Sequence, residues 1–161
     1  MSGSRWVQAV VCLVLGVAVG IASVFVLART AAIAAPQGFF AWFKQAGSIE
    51  AGVFSWDLLV TYGLGVGVPA FIVALLALRF VVAATAGSAL AFAAGVLLAI
   101  HGLAPLWFGH PLDTVWQRPW FYYAPLEASL GLATWAAWWI ARRGQRRAAN
   151  PRQFTVTRDT A

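Results

Sequence analysis

The feature of this sequence that most limits its possible folds is a series of long apolar runs. The first extends from Trp6 to Ala28, with no charged residue between Arg5 and Arg29. At about 1.5 Å per helical residue, such a run can cross the roughly 30 Å hydrocarbon core of a bilayer. Because a signal peptide has an apolar core of only about 7–15 residues, we expect this run to be retained as a transmembrane helix.

Three further runs have the length of a membrane crossing. The predicted spans are residues 6–28, 57–79, 82–103 and 121–141. The composition agrees, because 61% of the 161 residues are hydrophobic and 10% are charged, against about 25% charged in an average soluble domain. The sequence therefore predicts an all-α integral membrane protein, a four-transmembrane-helix bundle forming one domain over residues 1–149. Residues 150–161 are predicted to be a flexible cytoplasmic tail.

The distribution of basic residues predicts the orientation of this bundle. Four crossings place both termini on one side, which would carry eight arginines: Arg5, Arg79, Arg142, Arg143, Arg146, Arg147, Arg152 and Arg158. The other side would carry three basic residues, Arg29, Lys44 and Arg118. The positive-inside rule then makes both termini cytoplasmic. The abundance of Ala, Gly and Arg indicates a bacterial source, so the predicted location is the bacterial inner membrane. The net charge of +6 reflects this asymmetry, and we expect no nucleic-acid partner.

The loop between the first two spans is rich in aromatic residues. Phe39, Phe40, Trp42 and Phe43 precede Lys44 and a short polar stretch. This pattern predicts a short amphipathic segment that lies in the membrane interface or covers the end of the bundle.

Small residues at a spacing of four predict where the helices pack, since they let backbones approach closely in a membrane. The third span carries the longest such ridge, comprising Ala83, Gly87, Ala91, Gly95 and Ala99. Shorter ridges occur at Gly16 and Gly20, at Gly63 and Gly67, and at Ser129, Ala133, Ala137 and Ala141. We therefore expect the third helix to be central.

Ionisable residues near the outer ends of the spans are the candidates for chemistry, because such groups are costly at membrane depth. The weak catalytic candidates are Glu127, His101, Asp57 and Asp113, and the candidate ligand or partner contacts are Arg118, Glu127, His101, Trp107 and Trp120. Glu127 has two interpretations. It lies two turns inside the membrane if its helix begins at Trp120, and it caps the helix if that begins at Pro125.

No cofactor or metal is expected. His101, His110, Asp113 and Glu127 match no standard zinc spacing, and the single cysteine, Cys12, lies inside an apolar run. The arginines directly after the last span are expected to bind anionic lipid headgroups. These are Arg142, Arg143, Arg146 and Arg147.

No phosphate-binding glycine loop or nucleophile elbow is present in the sequence. The sequence therefore favours a non-catalytic accessory, assembly or partner-binding subunit that contacts other membrane chains. One alternative is a small transporter or channel-like component. Another is a membrane enzyme with an acid/base cluster at its outer face.

Overall fold

The computed structural model describes residues 2–109 and 123–149, and this part of the chain is helical without any strand. The predicted tail, residues 150–161, lies outside the described residues. We number five helices: α1 Ser2–Thr30, α2 Gln37–Gln45, α3 Ile49–Val81, α4 Ala86–Trp107 and α5 Ala124–Ala149.

Three of these helices are long and apolar enough to cross a membrane, namely α1 over Ser4–Thr30, α3 and α4. The structure thus confirms an all-helical protein with membrane-compatible helices. Helix α5 has 26 residues and packs along α3. Its sequence is less apolar, because Glu127 lies in its first turn and an arginine-rich segment forms its end.

The helix boundaries differ from the predicted spans. Helix α3 contains 33 residues, because Ile49–Trp56 joins the predicted second span without a break. Helix α4 begins later than residue 82, since the Thr85 side chain accepts a hydrogen bond from the Ser88 amide and caps the helix there. Its other end continues to Trp107, one turn beyond the predicted end.

Helices α3 and α4 contain turns of π-helix, which are rare in proteins. In α3 they occupy Asp57–Thr61, Gly63–Gly67 and Ala77–Val81, and in α4 they occupy Leu98–Leu103. Pro69 follows the second of these turns, and it lacks the amide that an α-helix would use at that position. The wider turn at Gly63–Gly67 lets α3 continue as one helix past the proline.

The closest packing joins α1 to α4, through glycines on both helices. An added Cβ at Gly95 would collide with the Leu13 carbonyl oxygen and lie 2.9 Å from the Val17 amide nitrogen. An added Cβ at Gly16 would collide with the Phe92 carbonyl oxygen. The two backbones are therefore in contact at this crossing, as small residues permit in membrane proteins.

Only part of the small-residue ridge of α4 is buried against other helices, and α4 is not the central helix of the bundle. Gly95 and Ala99 are buried, whereas Ala83 and Gly87 are exposed. Helix α4 packs mainly on α1, while α3 packs mainly on α5. The four-residue connection between α3 and α4 does not produce a tightly packed hairpin, because the glycine crossing draws α4 to α1.

The apolar core lies among α1, α3, α4 and α5. Its fully buried members come from each of these helices, and the largest are Phe92, Leu78, Leu130, Val66 and Val96. Two glycines of α3 face different neighbours: Gly65 lies against Leu27 and Thr30 of α1, and Gly67 lies near Ser129 of α5.

The aromatic segment before α3 forms a small helical hairpin. Helix α2 packs on the first two turns of α3. The Phe39 ring contacts Phe43 at 5.2 Å and Trp56 at 5.2 Å between centroids, and Gly52 is buried against Phe43. Half of the predicted interfacial segment is therefore α2, and the other half is the start of α3.

Candidate functional site

His101 occupies the π-helical turn Leu98–Leu103 of α4, six residues before the end of the helix. Its ring is half-buried and meets the Tyr123 ring edge-on, with 5.0 Å between centroids. The Glu127 carboxylate is close enough to interact electrostatically with the imidazole. His101, Tyr123 and Glu127 therefore form one cluster at the junction of α4 and α5.

Glu127 occupies the first turn of α5, because this helix begins at Ala124 and not at Trp120. Its side chain is exposed, and its amide bonds the Tyr123 carbonyl oxygen at 3.0 Å. A carboxylate at this position is stabilised by the positive end of the helix dipole. The geometry matches the capping interpretation of Glu127, with His101 as an additional neighbour.

Asp57 is held within its own helix. Its carboxylate accepts a hydrogen bond from the Thr61 hydroxyl at 3.0 Å. The Thr61 carbonyl oxygen in turn accepts from the Thr30 hydroxyl of α1 at 2.9 Å. Similarly, the Ser129 hydroxyl of α5 donates to the Leu58 carbonyl oxygen at 2.9 Å. These bonds connect α1 and α5 to the π-helical turn Asp57–Thr61 of α3, where the wider turn leaves carbonyl oxygens accessible.

Several predicted site residues cannot be placed with this cluster. His110, Asp113, Arg118 and Trp120 lie outside the described residues, so their association with His101 and Glu127 stays a prediction. Within the described part of the chain, no group of three metal-ligating side chains comes together.

Trp107 lies at the end of α4, and 79% of its surface is exposed. It borders an apolar groove between the ends of α1 and α4, with a volume of about 480 Å³. The groove is lined mainly by Ile21, Val24, Phe25, Leu103, Leu106 and Trp107. Phe25, Leu106 and Trp107 border it with exposed apolar side chains.

At the other end of the bundle, the Gln145 side chain forms hydrogen bonds with two backbone groups. Its amide nitrogen donates to the Leu78 carbonyl oxygen at 2.9 Å, and its amide oxygen accepts from the Ala84 amide at 3.1 Å. The Trp138 indole donates to the Ala84 carbonyl oxygen at 3.2 Å. Together, Gln145 and Trp138 fix the connection between α3 and α4 onto α5.

The sequence reasoning missed Gln145, although a signal was present. Gln145 follows Trp138 by seven residues, which places both side chains on one face of a helix. A lone glutamine among arginines does not by itself indicate a contact between helices.

The arginines predicted to bind lipid are placed beside aromatic rings. The Arg143 guanidinium lies over the Trp139 ring at 3.3 Å from its centroid, and Arg142 lies over Trp138 at 5.2 Å. Such stacking holds a guanidinium close to an apolar surface while leaving its hydrogen-bond donors available. Arg146 is exposed, and the Arg147 side chain lies outside the described residues.

The described geometry therefore offers two polar regions, one around His101 and one around Gln145 and the arginines. Comparison with known protein families, curated proteins and solved structures finds no match to this chain.

Proposed function

We propose that this chain is a bacterial inner-membrane protein with four crossings and cytoplasmic termini, acting as a non-catalytic subunit that binds another membrane protein. Three apolar helices support the membrane location. Helix α5 supplies the fourth crossing in this proposal, because it packs along α3 over much of its length and ends in arginines that favour the cytoplasmic side.

The observation that carries the subunit role is the lateral groove beside Trp107. Its lining is almost entirely apolar, and Phe25, Leu106 and Trp107 project from it with 65%, 58% and 79% of their surfaces exposed. Tryptophan is over-represented among the residues that contribute most to protein–protein binding. A helix of a partner chain would bury these three side chains at once.

The packed interior argues against the transporter alternative. The core cluster of the described helices consists of aliphatic and aromatic side chains from α1, α3, α4 and α5. Buried polar side chains such as Thr30, Ser129 and Thr134 donate hydrogen bonds to backbone carbonyl oxygens, so they support packing and do not line a path for solute.

The subunit role is tested by photo-crosslinking. A photoreactive amino acid replaces Trp107 in one variant and Leu90, 70% exposed on the same helix, in the control. We expect a discrete protein adduct from position 107 alone after irradiation of cells. Adducts of equal yield at both positions, or lipid adducts only, would overturn the proposal.

The orientation is tested separately by cysteine labelling. In a Cys12→Ala background, Gln45→Cys and Arg146→Cys are exposed to a membrane-impermeant thiol reagent in intact spheroplasts. We expect labelling at position 45 before lysis and at position 146 only after lysis. Labelling of both positions before lysis would mean that α5 does not return the chain to the cytoplasm.

The cluster of His101, Tyr123 and Glu127 supports a second candidate function, an enzyme that acts at the outer face. An imidazole beside a carboxylate can exchange protons with a substrate. Once an activity is found, Glu127→Gln and His101→Gln would each abolish it under this proposal, whereas they would leave partner crosslinking through position 107 unchanged.

A further inference from the structure

Three side chains form a tryptophan–arginine ladder along one exposed face of α5. Trp135, Trp139 and Arg143 follow one another at a spacing of four residues and are all exposed, so they share one helix face. The two indole rings are stacked, with 6.3 Å between their centroids and 23° between their planes. The Arg143 guanidinium lies 3.3 Å from the centroid of the Trp139 ring. The Trp139 ring therefore contacts both other members of the ladder.

Arg143 differs in this respect from its neighbours on α5. The Arg142 guanidinium is farther from a ring, at 5.2 Å from the Trp138 centroid. Arg146 is exposed, and the residues three and four positions before it are both arginines. Helix α5 thus supplies no aromatic ring beneath Arg146, which makes this residue a natural control for Arg143.

The contact with an indole ring prepares the Arg143 guanidinium for a phosphate. Stacking fixes the plane of the guanidinium group, and its N–H donors lie in that plane. Such a planar donor array can bind two phosphate oxygens at once. Tryptophan side chains favour the level of the lipid headgroups, where one part of the ring is apolar and the other is wet. The pair of Trp139 and Arg143 therefore matches a ligand that joins a phosphate to an apolar group.

The ladder continues from Arg143 onto an apolar surface. Trp135 lies eight positions before Arg143, or about 12 Å along the helix at 1.5 Å per residue. That distance is within the roughly 15 Å depth of one half of the hydrocarbon core. Leu132, three positions before Trp135, is also exposed. The order of the ladder, apolar towards the middle of α5 and cationic towards its end, follows the order of acyl chain and headgroup in a lipid.

The carboxylates of the described chain lie at the other end of the helices. These are Glu50, Asp57 and Glu127, all near the beginning of α3 or α5. The Ser129 hydroxyl bonds the Leu58 carbonyl oxygen, and the Gln145 amide nitrogen bonds that of Leu78. These contacts show that α3 and α5 run in the same direction, so the described carboxylates are distant from Arg143. The local excess of positive charge favours an anionic lipid.

We propose that the tryptophan–arginine ladder binds one anionic phospholipid, with its phosphate at the Arg143 guanidinium and an acyl chain along the Trp139 and Trp135 rings. The placement of this lipid in the membrane rests on the proposed fourth crossing, which the cysteine labelling tests separately. The site is on α5 and does not depend on the partner proposed for the groove beside Trp107.

The test uses the full chain, purified and delipidated in detergent, with bound lipid counted by native mass spectrometry. The ligands are phosphatidylglycerol, phosphatidylcholine with the same acyl chains, and inorganic phosphate. We expect one tightly bound phosphatidylglycerol. Every variant keeps the net charge of the chain, so diffuse attraction to anionic lipid stays constant.

The first pair of variants examines the guanidinium group. Arg143→Lys should bind phosphatidylglycerol about tenfold more weakly, because lysine keeps the charge and loses the planar donor array that holds the phosphate. The matched control, Arg146→Lys, should leave the affinity unchanged. Equal affinities of these two variants would show only diffuse charge attraction and would overturn the proposal.

The second pair examines the indole ring. Trp139→Leu should weaken binding about two- to fivefold, which is the range for an exposed cation–π contact. The control is Trp6→Leu, at an exposed tryptophan near the start of α1, and it should have no effect. Full competition by inorganic phosphate, combined with no effect of Trp139→Leu, would show an anion site without a lipid and would overturn the proposal. Equal binding of phosphatidylcholine would also overturn it.

A third measurement separates a lipid from a protein on this face. A photoreactive amino acid replaces Trp135 in cells, and we expect lipid adducts after irradiation. A discrete protein adduct at this position would show that a partner chain covers the ladder and would overturn the proposal.

Discussion

Replacing Gly95 by alanine should weaken the contact between α1 and α4. The new Cβ would meet the Leu13 carbonyl oxygen, the Val17 amide nitrogen at 2.9 Å and the Gly16 carbonyl carbon at 3.1 Å. All three atoms belong to the backbone of α1, so no side-chain rotation relieves the collision. Helix α1 must move away as a unit.

The size of the effect follows from two opposing terms. Overpacking a closely packed interior lowers the free energy of unfolding by about 1–3 kcal/mol. Replacing glycine by alanine in a helix raises it by up to about 1 kcal/mol. Gly87→Ala on the same helix supplies the control, because its added Cβ would find only the Thr85 hydroxyl, at 3.9 Å. Because both variants gain the same helix propensity, we expect their free energies of unfolding to differ by the overpacking cost of about 1–3 kcal/mol, with Gly95→Ala the less stable.

Thermal unfolding in detergent can be followed with a dye that fluoresces on reaction with thiols. Cys12 is the single cysteine and is fully buried on α1, beside Ser88 of α4, so it reacts when this helix pair separates. At about 2–4 °C per kcal/mol, Gly95→Ala should unfold about 2–12 °C below Gly87→Ala. Equal midpoints for the two variants would refute the backbone contact between α1 and α4.

Three further substitutions examine the polar ties between helices, each measured by the same thermal assay. Gln145→Ala removes two hydrogen bonds to backbone atoms and should lower the free energy of unfolding by about 1–3 kcal/mol. The control is Gln8→Ala, whose side chain bonds Ser4 within the exposed start of α1, and it should leave the free energy of unfolding almost unchanged. Trp138→Phe keeps the ring and loses one hydrogen bond, so a cost of about 1 kcal/mol is expected; no change would mean that the indole bond is not formed. Thr30→Val should cost about 0.6 kcal/mol, the average for a hydrogen bond between membrane helices, and a loss above about 2 kcal/mol would contradict that role.

The apolar runs are enough to predict the membrane-compatible helices, and the glycines indicate helix faces that can pack closely. Gly16 and Gly95 were both recognised as small residues on helix faces, and they meet at the tightest crossing of the structure. Their pairing could not be predicted, because small residues occur on every span. A short connection around Arg79–Thr85 favours a hairpin of α3 and α4 in the sequence, but a connection fixes proximity only at its own end of two helices.

The π-helical turns explain why residue positions were harder to predict than helices. Each such turn changes the number of residues per turn and rotates all later side chains relative to a regular helix. In α3 this moves Gly65 and Gly67 onto the faces that meet α1 and α5, and leaves Gly63 without a neighbouring helix. A ridge drawn at a spacing of four across such a turn therefore includes Gly63 and omits Gly65.

The distribution of polar contacts also bears on function. Thr30 and Ser129 bond to the turn Asp57–Thr61 of α3, and Gln145 and Trp138 bond to the end of α3 and to the connection that follows it, so these hydrogen bonds form two separate groups. Between these two groups the core is apolar, and the groove beside Trp107 is lined by apolar side chains. A solute crossing the bilayer would have to separate the helices against this packing. A lipid or a partner helix would only have to occupy surfaces that are already open, which is the physical reason for preferring lateral binding over transport.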